Sequence, residues 1–181
     1  MSILQNIGIF LVDTAFTLYI YAVILRFVLA MSRADFYNPI SQTIVTITNP
    51  VLIPLRRMIP AMGKIDTAAV VLALALIFTK TLLILLMQGT SVGFIGLVFY
   101  AIIELLRIVI WLYIIAIILQ AVMSWFGNSY GNPFASILNS LVEPVLRPIR
   151  NVVPNIGMID ISPMIAILGL NILLIILDGL A

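Results

Sequence analysis

Apolar side chains come in four long blocks along this chain, separated by stretches where prolines, arginines and other polar residues break in. The blocks run from about Ile7 to Ala30, from Thr67 to Met87, from about Gly96 to Phe126, and from Ile161 to Gly179. About 20 apolar residues carry a helix across the hydrocarbon core of a bilayer. Each block therefore predicts a transmembrane helix, and the third is long enough to tilt or to project past the membrane.

The pattern repeats. NPVLIPLRRMIPAMGKID, from Asn49 to Asp66, returns 94 residues later as EPVLRPIRNVVPNIGMID, from Glu143 to Asp160. The same shift overlays Asn38-Pro39 on Asn132-Pro133. It sets Pro50, Pro54, Arg56, Pro60, Gly63 and Asp66 on Pro144, Pro148, Arg150, Pro154, Gly157 and Asp160. Between residues 19 and 66 there are 17 identities in 48 positions. Shared greasiness does not align proline, glycine, arginine and aspartate in order, so the chain reads as an internal duplication. The first repeat covers residues 1–94 and the second 95–181, two spans each. An even number of spans returns the chain to its starting side, so the repeats are expected to be parallel rather than inverted.

The connections inside the repeats predict helices of their own. Asn38 and Asn132 are good N-caps, and Pro39 and Pro133 suit the first helical position. Ile40, Ile44, Ile47 and Val51 fall at helical spacing, as do Phe134, Leu138, Leu141 and Val145. The residue before a proline is pushed out of the helical region. Pro50 and Pro144 are therefore expected to end helices of about 15 Å, with second short pieces, PLRRMI and PIRNVV, closed by Pro60 and Pro154. Gly63 and Gly157 mark turns. Asp66 and Asp160 are placed to pair with Arg56 and Arg150 or to cap the next span, and Ser162-Pro163 reads as another cap and first turn. Two placements fit these proline-broken amphipathic pieces: flat on the membrane surface, or dipping in and out beneath covering protein.

Composition sets the environment. Of 181 residues, 64% are hydrophobic and 9% charged, whereas soluble domains carry about 25% charged residues. Lipid is the solvent for most of this chain. A net charge of +2 is no nucleic-acid surface. With no Cys and no His, disulfides, thiolate nucleophiles, imidazole bases and His-ligated metals are excluded. Gly-rich phosphate loops and HExxH are absent. An enzyme is not expected, nor a cofactor. MSILQN carries no basic residue, so the first block reads as an uncleaved membrane helix rather than a secretory leader.

Six of the nine basic residues lie in the two connections: Arg33, Arg56, Arg57, Lys64, Arg147 and Arg150. The positive-inside rule then places both connections in the cytoplasm and both termini outside. Arg56, Arg57, Arg147 and Arg150 would stand at headgroup level, able to hold lipid phosphates or a partner protein.

The doubled phrase P-V-L-x-P-x-R-x-x-x-P-x-x-G-x-x-D, on two transmembrane pairs, resembles the YggT (YlmG-like) family of bacteria and plastids. That resemblance covers nearly the whole chain. The family usually has Glu before the first proline; Glu143 fits, and Asn49 departs from it. The resemblance implies an all-α, multi-pass protein of the bacterial inner membrane. It also implies links to osmotic-stress tolerance and ion homeostasis, to cell division and chromosome distribution, and in plastids to assembly of a haem-bearing cytochrome complex.

Four ionisable residues lie within the blocks away from the connections: Asp13, Lys80, Glu104 and Arg107. Charges in a membrane are costly and mark functional hypotheses. Asp13 and Arg107 are equivalent under the 94-residue shift. They read either as part of a polar site for an ion or as ion pairs holding the first span to the third. Glu104 and Arg107 are three apart and suited to pair. Arg26, near the inner end of the first span, reads as a snorkelling side chain. Ala68, Ala69, Ala73 and Ala75, with Ala166 and Gly169, are small residues that let helices approach closely, within the unit or between copies in a homo-oligomer. Two functions are consistent with these features. The leading one is a non-enzymatic membrane organising or assembly factor acting through the four arginines. The other is an oligomeric ion or osmolyte pathway lined by Asp13, Lys80, Glu104 and Arg107.

Overall fold

A computed structural model describes residues 2–63, 65–125, 131–153 and 160–180. Among these described residues there are six helices: α1 (Ile3–Met31), α2 (Pro39–Met58), α3 (Thr67–Gln88), α4 (Phe94–Trp125), α5 (Pro133–Arg150) and α6 (Ser162–Asp178). Three of them, α1, α3 and α4, are long and apolar enough to cross a membrane. With 17 residues, α6 reaches about 26 Å, a little short of the roughly 30 Å hydrocarbon core. Large apolar side chains such as Phe10, Leu18, Ile102, Trp111, Leu168 and Ile175 point outward. Water would not tolerate so continuous an apolar surface, and the chain is a membrane protein.

The prolines do not break the connecting helices. Pro50 and Pro54 lie inside α2, and Pro144 and Pro148 inside α5. A proline deletes the hydrogen bond to the carbonyl four residues back. In α2 the freed carbonyls belong to Thr46 and Pro50, both on the exposed face. The prolines themselves also lie on that face, four residues apart, so water or headgroups can satisfy what they release. The opposite ridge, Ser41, Ile44, Thr48 and Leu52, is buried with its ladder intact. The buried face is therefore rotated from the expected stripe: Ile47 and Val51 are exposed. In α5, Leu138 and Leu141 are buried as expected, joined by Ala135, Ile137, Val142 and Leu146, while Phe134 is exposed. The caps behave as read, with Asn38 Oδ1 accepting from Ile40 N–H (3.0 Å) and Asn132 Oδ1 from Phe134 N–H (2.9 Å). Ser162 does not cap α6; it lies in the first turn, and Asp160 Oδ1 accepts its N–H (2.9 Å).

The chain leaves α2 through a tight turn in which Met62 and Ile65 exchange backbone hydrogen bonds. Gly63 takes φ +63° there, a conformation that costs other residues a Cβ clash. Gly157 and Pro154, expected to repeat this turn, lie outside the described residues, as does Lys64.

Helix α3 buries Ala68, Ala69, Ala73 and Ile77, close to the buried Ile20, Val23 and Ile24 of α1 in one core. Small side chains let two backbones draw together in lipid, where van der Waals contact has to hold helices. Of the small residues singled out from sequence, Ala166 is also buried, while Ala75 and Gly169 face outward. An apolar cavity of about 330 Å³ lies between α1, α2, α4 and α5. Residues 94 positions apart line it together: Tyr21 and Ile115, Ala22 and Ala116, Leu25 and Leu119, Ile40 and Phe134, Ile44 and Leu138.

Candidate functional site

The basic ends of the two elbow helices repeat one contact. Arg56 in the last turn of α2 forms an ion pair with Asp66. Ten residues apart in the same way, Arg150 Nε donates to Asp160 Oδ2 at 2.9 Å. Arg150 also reaches Glu143 Oε2 at 3.0 Å. In both repeats the aspartate meets the helix that precedes it. Asp66 does both things open to it from sequence, since its Oδ1 also accepts from Ala69 N–H (3.3 Å) at the start of α3. At Asp160, burial pushes the carboxyl up. The Ser162 amide and the Arg150 guanidinium, both bonded to the carboxylate, outweigh that push and hold it below the usual carboxylate range.

The four arginines singled out from sequence therefore divide. Arg56 and Arg150 are committed to carboxylates within the fold. Arg57 and Arg147 are exposed and have no acidic partner among the described residues. They are not equivalent under the repeat, being matched by Asn151 and Ile53.

Arg26 does not snorkel outward. It is 8% exposed and turns onto α2, where Nη1 donates to Thr48 Oγ1 (2.6 Å) and more weakly to the Val45 carbonyl (3.4 Å). Thr48, 0% exposed, passes the bond on to the Ile44 carbonyl at 2.7 Å. Sequence reasoning missed Ser41 and Thr48 as its neighbours. A trace was present in the repeat, because Arg26, Ser41 and Thr48 become Gln120, Ala135 and Val142 in the second copy, a set of departures on two elements that pack together.

At the other end of the helices the charges pair within each repeat. Lys80 on α3, 9% exposed, donates to Asp13 Oδ1 (3.0 Å) and Thr17 Oγ1 (3.2 Å) of α1. Arg107 on α4 contacts Glu104 Oε2 (2.8 Å), the pairing expected from their spacing, and also Asp178 Oδ1 of α6 (2.6 Å). The ion pairs thus tie the first span to the second and α4 to α6; they do not join the first span to the third. Asp13 and Arg107 still play equivalent parts, with the sign of the charge exchanged. Asp178 was not anticipated, lying at the end of the last apolar block, where a terminal acid has no pattern to betray it.

The family model described as CCB3/YggT matches the chain twice, over residues 5–87 and 99–181. The protein named YggT in Escherichia coli K12 is 38% identical over 93% of this chain and 88% of its own length. An uncharacterised protein of Pseudomonas aeruginosa is 39% identical over 98% of this chain and 92% of its own. An uncharacterised protein from the proC 3′ region of Vibrio alginolyticus is 40% identical over 90% and 88%. No solved structure matches the chain. A doubled proline–arginine elbow and a family match that itself occurs twice lead to one placement: the chain belongs to the CCB3/YggT family.

Proposed function

We propose that this protein is a non-enzymatic organiser of the bacterial inner membrane that holds anionic lipid headgroups through its two elbow helices. The single observation carrying this reading is the pair of exposed arginines, Arg57 and Arg147, in or beside the last turns of α2 and α5 without acidic partners among the described residues. Each basic residue near an anionic leaflet adds about 1 kcal/mol of attraction. Arg56 and Arg150, braced by Asp66 and Asp160, would hold the elbows in shape. In this reading α6 spans with the other three long helices, the two repeats are parallel, both termini lie outside and the elbows face the cytoplasm. The equivalent residues that line one apolar cavity together support the parallel arrangement. A membrane-protein partner bound at the same arginines, and self-association through outward small residues such as Ala75, belong to the same organising role.

The ion or osmolyte pathway is the weaker reading, because Asp13, Lys80, Glu104 and Arg107 are engaged in ion pairs. The test is phospholipid retained on the protein purified in mild detergent. Arg57→Ala with Arg147→Ala should lower salt-sensitive retention several-fold, and Asp13→Asn should leave it unchanged. Ion flux in proteoliposomes that disappears with Asp13→Asn would overturn the organising role. For topology, cysteines at Arg57 and Arg147 should react only from the cytoplasmic side and one at Thr90 only from outside.

A further inference from the structure

A cavity of about 160 Å³ opens where the end of α1 meets α2, and Arg26, Ser41, Val45 and Arg56 are on its wall. That is room for about five waters at roughly 30 Å³ each. Arg26 brings a buried positive charge whose hydrogen bonds run only to the neutral oxygens of Thr48 and Val45. Among the described residues no carboxylate forms an ion pair with it. A buried guanidinium without a counter-charge is expensive, in protein as in lipid. Ser41, 5% exposed, adds a buried hydroxyl with no hydrogen-bond partner. Arg56 adds a second guanidinium, whose charge Asp66 already answers. The wall therefore carries one uncompensated positive charge and one idle donor.

The second repeat supplies the control. The equivalent place holds a cavity of about 60 Å³ with Gln120, Ala135 and Asn139 on its wall. There Gln120 Nε2 donates to Asn139 Oδ1 at 2.8 Å, Ala135 has no hydroxyl where Ser41 has one, and the hydroxyl of Ser124 on the same wall is spent on the Ala121 carbonyl at 2.7 Å. There an elbow helix packs against its span with Gln120, Ala135 and Val142 in the places of Arg26, Ser41 and Thr48, so packing does not require those three residues in the first repeat.

We propose that this cavity is a specific site for one phosphate oxyanion, the monoanionic phosphodiester of a phospholipid such as phosphatidylglycerol. Arg26 and the Ser41 hydroxyl donate to its oxygens, and Arg56 stands beside them. One negative charge answers the one positive charge left over; a zwitterionic headgroup would bring an ammonium back to the same wall. Charge-assisted bonds from guanidinium to phosphate are the strong class of hydrogen bond. The site rests on the headgroup-binding reading above and localises it in a single repeat. Free inorganic phosphate presents the same oxygens, so the test separates the two.

The experiment uses the full chain in mild detergent, titrated with phosphatidylglycerol, phosphatidylcholine or inorganic phosphate. Bound stoichiometry is read by native mass spectrometry and stabilisation by thermal unfolding. One phosphatidylglycerol should be held tightly, and phosphatidylcholine should not compete for its place. Arg26→Gln and Ser41→Ala install the second repeat's residues; the first should weaken the tight site at least tenfold and the second several-fold. Without lipid, Arg26→Gln should melt at or above the wild-type temperature, because it removes an unanswered charge. A lower melting temperature with undiminished phosphatidylglycerol binding would show a structural arginine and overturn the site. Equal tight binding by wild type and both variants would overturn it too, and so would inorganic phosphate filling the site as well as the lipid does. Loss of retention in Arg57→Ala with Arg147→Ala, beside an indifferent Arg26→Gln, sinks this site and keeps the organising role; the reverse keeps the site and sinks that role.

Discussion

The side-chain amide of Asn38 donates to the backbone carbonyl of Pro133 over 2.7 Å, fastening the first turn of α2 to the first turn of α5. The same side chain caps its own helix through Oδ1. Asn132, its counterpart, caps α5 in the same way. Removing an N-cap costs about 1 kcal/mol, and a buried hydrogen bond adds about 1 kcal/mol more. Asn132→Ala should therefore destabilise the protein by about 1 kcal/mol and Asn38→Ala by about 2. Reversible unfolding in mixed micelles checks the difference, which isolates the bond between the repeats.

Lys80 is the buried partner and Asp13 the half-exposed one. Removing one member of a buried pair leaves the other charge uncompensated, at a cost that grows with how deeply that charge is buried, whereas replacing both members by uncharged groups of similar size is close to neutral. Asp13→Asn should cost about 1–2 kcal/mol, tempered by solvent at the aspartate. Lys80→Met should cost less, and the double variant should regain most of the loss of Asp13→Asn. A double-mutant cycle in the same micelles checks this order.

The path of α2 through Pro50 can be tested directly. If the helix stopped there, Pro50→Ala would lengthen it and raise the helical circular dichroism. With the helix continuous from Pro39 to Met58, helicity should stay constant while stability rises. The ceiling is the roughly 3 kcal/mol that separates proline from alanine inside a helix.

Asp160 sets a pH dependence. Its folded carboxyl is held below the usual range, so the unfolded chain binds a proton more readily. The stabilisation is present above the unfolded value of about 3.9 and is lost as pH falls through the folded one. The stability gap between wild type and Asp160→Asn should be widest near pH 6 and shrink as pH is lowered from 5 to 3, measured by thermal unfolding across that range.

Much of the architecture is legible in the sequence for stated reasons. Asn38-Pro39 and Asn132-Pro133 announce helix starts because capping is local chemistry, satisfied within two residues. The pairing of Arg56 with Asp66 and of Arg150 with Asp160 is legible because a separation of ten residues, repeated in both copies, leaves them little choice. The helix through Pro50 and Pro144 is not, because the local bias of the preceding residue says nothing of the exposed face to which freed carbonyls can turn. The stripe Ile40, Ile44, Ile47 and Val51 has the right period and the wrong phase. Periodicity fixes the spacing of a buried face, while neighbours choose which of two adjacent ridges they cover.

The chain by itself determined the lipid environment, the duplication, the helix starts and the turn at Gly63, because these follow from composition, from the 94-residue shift and from interactions only a few residues long. Tertiary structure decided the rest. It sent Arg26 inward to Thr48, gave Asp13 to Lys80 and Arg107 to Asp178, and left Arg57 and Arg147 without an acidic partner among the described residues. A charge takes the nearest geometry that answers it, and nearness across 22, 67 or 71 residues is settled only when the helices pack.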